Sequence, residues 1–335
     1  MKKITHVLLA LVLTFALLTG CGGAAAPAVS SGAPASAASK KSVKVGLLQL
    51  AQHPSLDEIA AAIEAELQTK ASENGMALTI DFQNANNDLS TIDTICRQFV
   101  ADKVDIIIAI ATPAAQGAAT AVEGTEIPVV FSAVTDPVAA ELVDSFDAPG
   151  GNITGTSDAI AVDKIFALAS ELTPDAQSFG LIYNTSEVNS ASVIADAKAY
   201  LDGKKISYVE SAVTTPGDVQ MAAQNLLSQC DAIFAPIDNT VAQAMTVLAE
   251  EAIKAKKPVY VAADSMVHDG GLATVGVNYT ALGTQTADMA MRILQGAKAS
   301  ETPVEVLSDN AVVVNAETAD AIGVNVDKYK TEGAA

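Results

Sequence analysis

Positive charge is scarce in this chain. Lys and Arg number 19 in 335 residues against 39 Asp and Glu, a formal net charge of −20. Nucleic-acid phosphates are held by clustered Lys and Arg, so no nucleic-acid partner is expected, nor adhesion to an anionic membrane by charge alone. The acid excess serves solubility. Tryptophan is absent and aromatics make up 4% of the chain, which counts mildly against a sugar site built on stacked rings. The three histidines are His6, His53 and His268, and no GxSxG or HExxH motif accompanies them. No nucleophile and base can be paired from such a set, so the chain is expected not to be an enzyme. No CxxC or His–Cys cluster has metal-ligand spacing, and no strand–GxGxxG–helix pattern offers a phosphate loop, so neither metal nor cofactor is expected. Of the three cysteines, Cys96 and Cys230 lie far apart and are expected in different halves of the body, unpaired.

The N-terminus is more informative. Lys2 and Lys3 precede an apolar run from Val7 to Leu18, broken only by Thr14, which ends at Leu18-Thr19-Gly20-Cys21. Positive charge, a short apolar run and a small residue together read as a signal peptide over residues 1–20, and the run is shorter than the roughly 20 residues of a membrane span. The Leu-Thr-Gly-Cys pattern resembles the lipobox of bacterial lipoproteins, which implies lipidation of Cys21. Gly, Ala, Ser and Pro dominate from there on, so residues 21–42 read as a flexible tether. The expected location is extracytoplasmic, with a lipid on Cys21 as anchor to the cell membrane.

From Val43 the chain alternates apolar runs with amphipathic segments. Strands are expected at Val43–Leu50, Leu78–Phe82, Val104–Ile110 and Ile127–Val134, then at Phe179–Asn184, Ile206–Ser211, Asp231–Pro236, Val259–Ala262 and Ala273–Val277. Helices fall between them. One opens at Ser55 with a capping box to Glu58, and one is N-capped by Thr112 ahead of Pro113. A single helix is expected over Asn239–Lys254. Pro149-Gly150-Gly151-Asn152 reads as a break, after which the rhythm restarts. Such alternation predicts βαβ units on parallel sheets, an α/β fold.

Five segments in order carry a resemblance: Ala109–Gln116 (AIATPAAQ), Ala133–Val138 (AVTDPV), Pro149–Gly155 (PGGNITG), Tyr183–Ser190 (YNTSEVNS) and Pro236–Thr240 (PIDNT). They resemble the substrate-binding lipoproteins of ABC importers of the type I periplasmic-binding fold, in the group that includes tryptophan- and tyrosine-binding members. The resemblance implies two Rossmann-like lobes with parallel sheets, joined by three crossover segments near Gly155–Ser157, Val277–Tyr279 and Pro303–Asp309. Lobe one is expected over residues 43–156 plus about 280–306, and lobe two over 157–279 plus about 307–330. It also implies permease and ATPase subunits of an importer as partners, and a monomer.

In open α/β sheets the ligand sits beyond the carboxyl ends of the strands. The polar residues there are Gln52 and His53, Thr112, Thr135 and Asp136, then Asn184, Ser186, Glu187, Asn189 and Ser190, then Asp238 and Asn239, Asp264, and Asn278 with Tyr279. With Tyr183 they form the candidate ligand-binding set. Helix N-termini suit a carboxylate, and Asp136, Glu187, Asp238 and Asp264 offer acceptors to an ammonium. Lys and Arg are absent from these loops, which disfavours a strongly anionic ligand. Phe131, Tyr183 and Tyr279 are candidates for an apolar wall. The expected ligand is a small zwitterion, an amino acid with an aromatic or other apolar side chain. A sensor of the same fold, or an import receptor for a sugar or nucleoside, stays open at this level.

Overall fold

The computed structural model describes residues 41–307 and 310–329, without the Asn310 side chain. The expected signal peptide, Cys21 and the expected tether up to residue 40 lie outside the described residues. Lys41 and Ser42 already belong to the first strand, which therefore includes two residues ahead of the expected Val43. Among the described residues no helix is long and apolar enough to cross a membrane.

Two six-stranded sheets organise the chain. The first contains β1 (Lys41–Gln49), β2 (Met76–Asn84), β3 (Ile106–Ile110), β4 (Val129–Ser132), β5 (Ile153–Ser157) and β11 (Glu305–Val306), in the order β11-β5-β4-β3-β1-β2. The second contains β6 (Ser178–Asn184), β7 (Ser207–Val213), β8 (Ala232–Ala235), β9 (Val259–Val261), β10 (Ala273–Val277) and β12 (Asn310–Val314), in the order β12-β10-β9-β8-β6-β7. All pairings are parallel except β12, which runs antiparallel to β10. Helices fill the connections: α1 (Pro54–Glu73), α2 (Leu89–Ala101), α3 (Thr112–Ala121), α4 (Val162–Leu172), α5 (Val188–Lys204), α6 (Val219–Leu227), α7 (Asn239–Ala242), α8 (Met245–Ala255), α9 (Asp264–His268), α10 (Tyr279–Leu294) and α11 (Ala316–Ile322).

Each sheet repeats one doubly wound order, in which the chain reverses direction between its first and third strands. The reversal lies between β1 and β3 in one sheet and between β6 and β8 in the other. Strands buried on both faces explain the apolar runs: every residue of Ile106–Ile110 is buried. The chain leaves the first sheet after β5, returns after β10 to form α10 and β11, and leaves again for β12. Part of that last passage, residues 308–309, is outside the described residues. Cys96 on α2 and Cys230 before β8 are both buried and free, one in each half.

Four local expectations are corrected. The segment read as a break followed by a crossover contains β5, a strand too short and too polar to announce itself. The capping box of Ser55 and Glu58 does not form, because α1 begins at Pro54 with His53 as its N-cap residue. Thr112 is not an N-cap either. That position falls to Ala111, at φ 80, and Thr112 is the first helical residue. The expected helix over Asn239–Lys254 is two helices, α7 and α8, separated by Gln243 and Ala244.

Helix α10 lies against α1 at Gly283, where an added Cβ would stand 2.7 Å from Ala62 Cβ and 2.7 Å from the Ile59 carbonyl oxygen. A backbone oxygen cannot rotate away. Gly283→Val is therefore expected to destabilise the protein by about 2–3 kcal/mol through overpacking, against a helix-propensity gain of under about 1 kcal/mol. Chemical denaturation checks this, and a variant as stable as the parent would refute the close contact.

Candidate functional site

The two chain reversals face each other, and the loops that leave them enclose one cavity. It is lined by His53, Ser55 and Leu56 after β1, Ala111 after β3, Ala133 after β4 and Asp158 after β5. The second lobe supplies Asn189, Ile237, Asp238, Asn239, Ala242, Ala263 and Met266, and Tyr279 comes from the start of α10. The cavity volume is about 20 Å³, room for about one water molecule, so the lobes stand closed on each other and a ligand needs them to part.

The lobes touch directly around this space. His53 Nε2 stands 3.3 Å from Asn239 Oδ1, the Ser55 and Ser265 hydroxyls share a hydrogen bond, and Ser192 Oγ donates to Asp136 Oδ2 at 2.9 Å. Each of these joins a residue that follows a strand of the first sheet to one that follows a strand of the second.

Two buried carboxylates line the cavity. Asp158 accepts from Thr135 Oγ1 at 2.9 Å and from the Tyr279 hydroxyl at 3.3 Å. It is fully buried, and burial pushes its carboxyl up to about 6 against those two bonds. Asp238 accepts from the Asn184 N–H at 2.6 Å and, as N-cap of α7, from the Val241 N–H at 2.8 Å. Burial, then the charge of Glu187, raises it well above the usual carboxylate range. Among the described residues no Lys or Arg lines the cavity, so neither carboxylate has a cation beside it there.

Several buried polar atoms near this space lack partners among the described residues: His53 Nδ1, Asn189 Oδ1 and Thr112 Oγ1. Such orphans are rare in native interiors. Backbone strain coincides with them. Ala111 and Ala133, at the ends of β3 and β4, both hold positive φ, 80° and 54°, a conformation that alanine adopts at a cost.

Of the sequence-predicted residues, His53, Asn189, Asp238, Asn239 and Tyr279 line the cavity. Thr135 and Ser190 stand just behind it, Thr135 on Asp158 and Ser190 donating to the Ile237 carbonyl at 3.3 Å. Thr112 is buried at the start of α3. Asp264, largely buried at the start of α9, accepts from the Ser265 N–H. The others go elsewhere. Gln52 is exposed. Asn278 is exposed and caps α10 through the Ala281 N–H at 2.8 Å. Tyr183 donates to Glu210 Oε2 at 2.8 Å on the β6–β7 side, and Phe131 is core. Asp136 joins the lobes. Asn184 is consumed within lobe two, donating to Thr240 Oγ1 and accepting from Ser186. Ser186 is exposed beside a separate groove with Leu89 and Pro113.

Glu187 is also consumed. Its carboxylate accepts from the N–H groups of Asn239 and Thr240 and from both their side chains, at 2.6–3.1 Å. It ties the β6–α5 loop to the start of α7 and has little left for an ammonium. Asp158 was missed by the sequence reading. The signal for it was available: it follows β5, and the rule of strand carboxyl ends finds it once β5 is recognised as a strand.

Known proteins fit this architecture. A curated tyrosine-binding protein of Clostridioides difficile (strain R20291) is 37% identical over 326 residues, 96% of this chain and 92% of its own length. A Streptococcus pneumoniae ABC domain solved in complex with L-Trp is 36% identical and superposes with a TM-score of 0.81, over 85% of this chain and 96% of that one. A ligand-free, open substrate-binding protein with adhesive properties from Clostridium difficile is 38% identical, over 86% of this chain and 97% of that one, yet reaches a TM-score of only 0.67. Identity does not separate the last two, and the closer superposition with the complex accords with the direct lobe-to-lobe hydrogen bonds. The family model of ABC transporter substrate binding proteins matches residues 44–330, and with these two-lobed relatives beside it the chain belongs to that family, whose members are the extracytoplasmic solute-binding components of ABC transporters.

Proposed function

We propose that this chain captures an aromatic amino acid for an ABC importer, by binding and not by catalysis, as a monomer held to the cell membrane by a lipid on Cys21. The lobes would comprise residues 41–157 with about 279–306, and 158–278 with about 307–330, a shift of one or two residues from the sequence expectation at the ends of β1, β5 and β10. The observation that carries the ligand class is the pair of buried carboxylates, Asp158 and Asp238, lining one cavity with no cation beside them among the described residues. Buried charge is tolerated when a partner compensates it, and a ligand ammonium is that partner. The ligand carboxylate would lie at the start of α3, where the helix end favours negative charge and the buried Thr112 hydroxyl lacks a partner. Leu56, Ile237, Ala242, Met266 and the Tyr279 ring would enclose the side chain.

A ligand bridging Thr112 in lobe one and Asp238 in lobe two has both contacts only when the lobes are closed. It therefore favours closure, and the closed form would be the one delivered to the permease and ATPase subunits. Support for an aromatic side chain comes from the tyrosine-binding relative and the L-Trp complex. Isothermal titration of the full-length chain, purified in detergent and freed of bound ligand by denaturation and refolding, tests the reading. Tyrosine or tryptophan should bind at micromolar concentration or below. Saturation by a sugar or nucleoside alone would overturn the ligand class. Cys21→Ala should release the mature protein from the membrane fraction, and retention there would remove the lipid anchor.

A further inference from the structure

His53 is held in one tautomer by a relay that starts at Glu187. A carboxylate only accepts hydrogen bonds. Glu187 Oε2 lies 2.6 Å from Asn239 Nδ2, which fixes the amide with its nitrogen toward Glu187 and its oxygen toward His53. Asn239 Oδ1 lies 3.3 Å from His53 Nε2. An amide oxygen also only accepts, so Nε2 carries the ring proton. The other nitrogen, Nδ1, is then an acceptor in the neutral ring. Burial keeps the ring neutral by lowering its pKa, against the Asn239 bond and the charges of Asp57 and Glu187. Nδ1 is thus a buried acceptor with no donor among the described residues.

A count of acceptors separates its role from the others. Asn189 donates through Nδ2 to the Ile237 carbonyl at 2.7 Å, so its unpartnered Oδ1 is an acceptor as well. The carboxylate oxygens of Asp158 and Asp238, with Asn189 Oδ1, already supply more acceptor sites on the cavity than the three protons of an ammonium need. His53 Nδ1 is left over, a neutral acceptor that matches a neutral donor. Resting on the amino-acid reading above, we propose that His53 Nδ1 accepts the ring donor of the ligand, a phenol O–H or an indole N–H, and so selects tyrosine or tryptophan over phenylalanine. A site built to hydrogen-bond a ligand group rejects the analogue that lacks it, because its own polar atom is then left unpaired.

Titration calorimetry of the full-length chain with tyrosine, tryptophan and phenylalanine is the test. In the parent protein, phenylalanine should bind at least about tenfold more weakly than the better of the other two. His53→Gln keeps a donor for Asn239 and removes the acceptor at Nδ1. It should weaken tyrosine or tryptophan about tenfold more than it weakens phenylalanine. Equal affinities of the parent for all three, which needs no variant to fold, would overturn the proposal. So would a variant that weakens all three by the same factor. Binding of none of the three would instead bring down the amino-acid reading, and this proposal with it.

Discussion

Asp238→Ala is expected to weaken ligand binding by a factor of about 150 to 4,000. Removing one member of a buried, hydrogen-bonded charge pair costs about 3–5 kcal/mol, and here the partner left behind would be the ligand ammonium. The empty protein should also lose stability, since Asp238 caps α7 and accepts from the Asn184 N–H. Loss of a cap costs about 0.5–2 kcal/mol. That loss is offset in part, because alanine also removes a carboxylate that burial keeps well above its ordinary pKa. The two effects separate experimentally: calorimetric titration reads the affinity, and thermal melting without ligand reads the fold. An affinity within about threefold of the parent would take Asp238 out of the site, whatever the melting temperature did.

The sequence displayed the frame of the site and concealed its division of labour. Apolar runs such as Ile106–Ile110 need no tertiary knowledge, because a strand covered on both faces has no polar alternative. The rule that ligands lie beyond strand carboxyl ends then led to His53, Asn189, Asp238 and Asn239, all of which line the cavity. It failed where a strand did not look like one. β5 reads Ile-Thr-Gly-Thr-Ser, its polarity satisfied by buried hydroxyl bonds such as Thr154 to the Thr302 carbonyl and Thr156 to Thr286. Those partners lie some 130 to 148 residues away, beyond the reach of local pattern.

Side-chain roles were less legible than positions. Glu187, Asp136 and Asn278 occupy loops of the expected kind, yet each is claimed by protein partners: the start of α7, Ser192 across the lobes and the first turn of α10. Only the folded chain decides which carboxylate is saturated and which is left for a ligand. Local rules were also overridden by competition between caps. Pro54 starts α1 one residue before Ser55, which frees the Ser55 hydroxyl for Ser265 in the other lobe. The capping pattern was present, but the proline placed the helix end elsewhere.

Asp158→Asn should move stability and affinity in opposite directions. The Asp158 carboxyl sits at about 6 in the empty protein, against 3.8 when exposed, because burial disfavours its charge. A folded pKa above the unfolded one means that the native state holds the proton more tightly. The stabilisation tied to that proton is complete below about pH 4 and is lost as the pH rises through about 6. At pH 7.5 the ionised group therefore costs the empty fold on the order of 3 kcal/mol. Asparagine keeps the shape, can accept from Thr135 and can donate to the Tyr279 oxygen, but carries no charge to desolvate. The variant should melt several degrees above the parent at pH 7.5 and level with it near pH 4. Binding should respond the other way. A ligand ammonium stabilises the ionised carboxylate, so the parent's affinity should increase as the pH passes upward through 6. The Asp158→Asn variant should bind about 100-fold more weakly at pH 7.5 and lose that part of the pH dependence. A melting temperature below the parent's at pH 7.5 would show that Asp158 is held for its hydrogen bonds to Thr135 and Tyr279; a gain in stability with a loss of binding is the signature of a charge kept buried for its ligand.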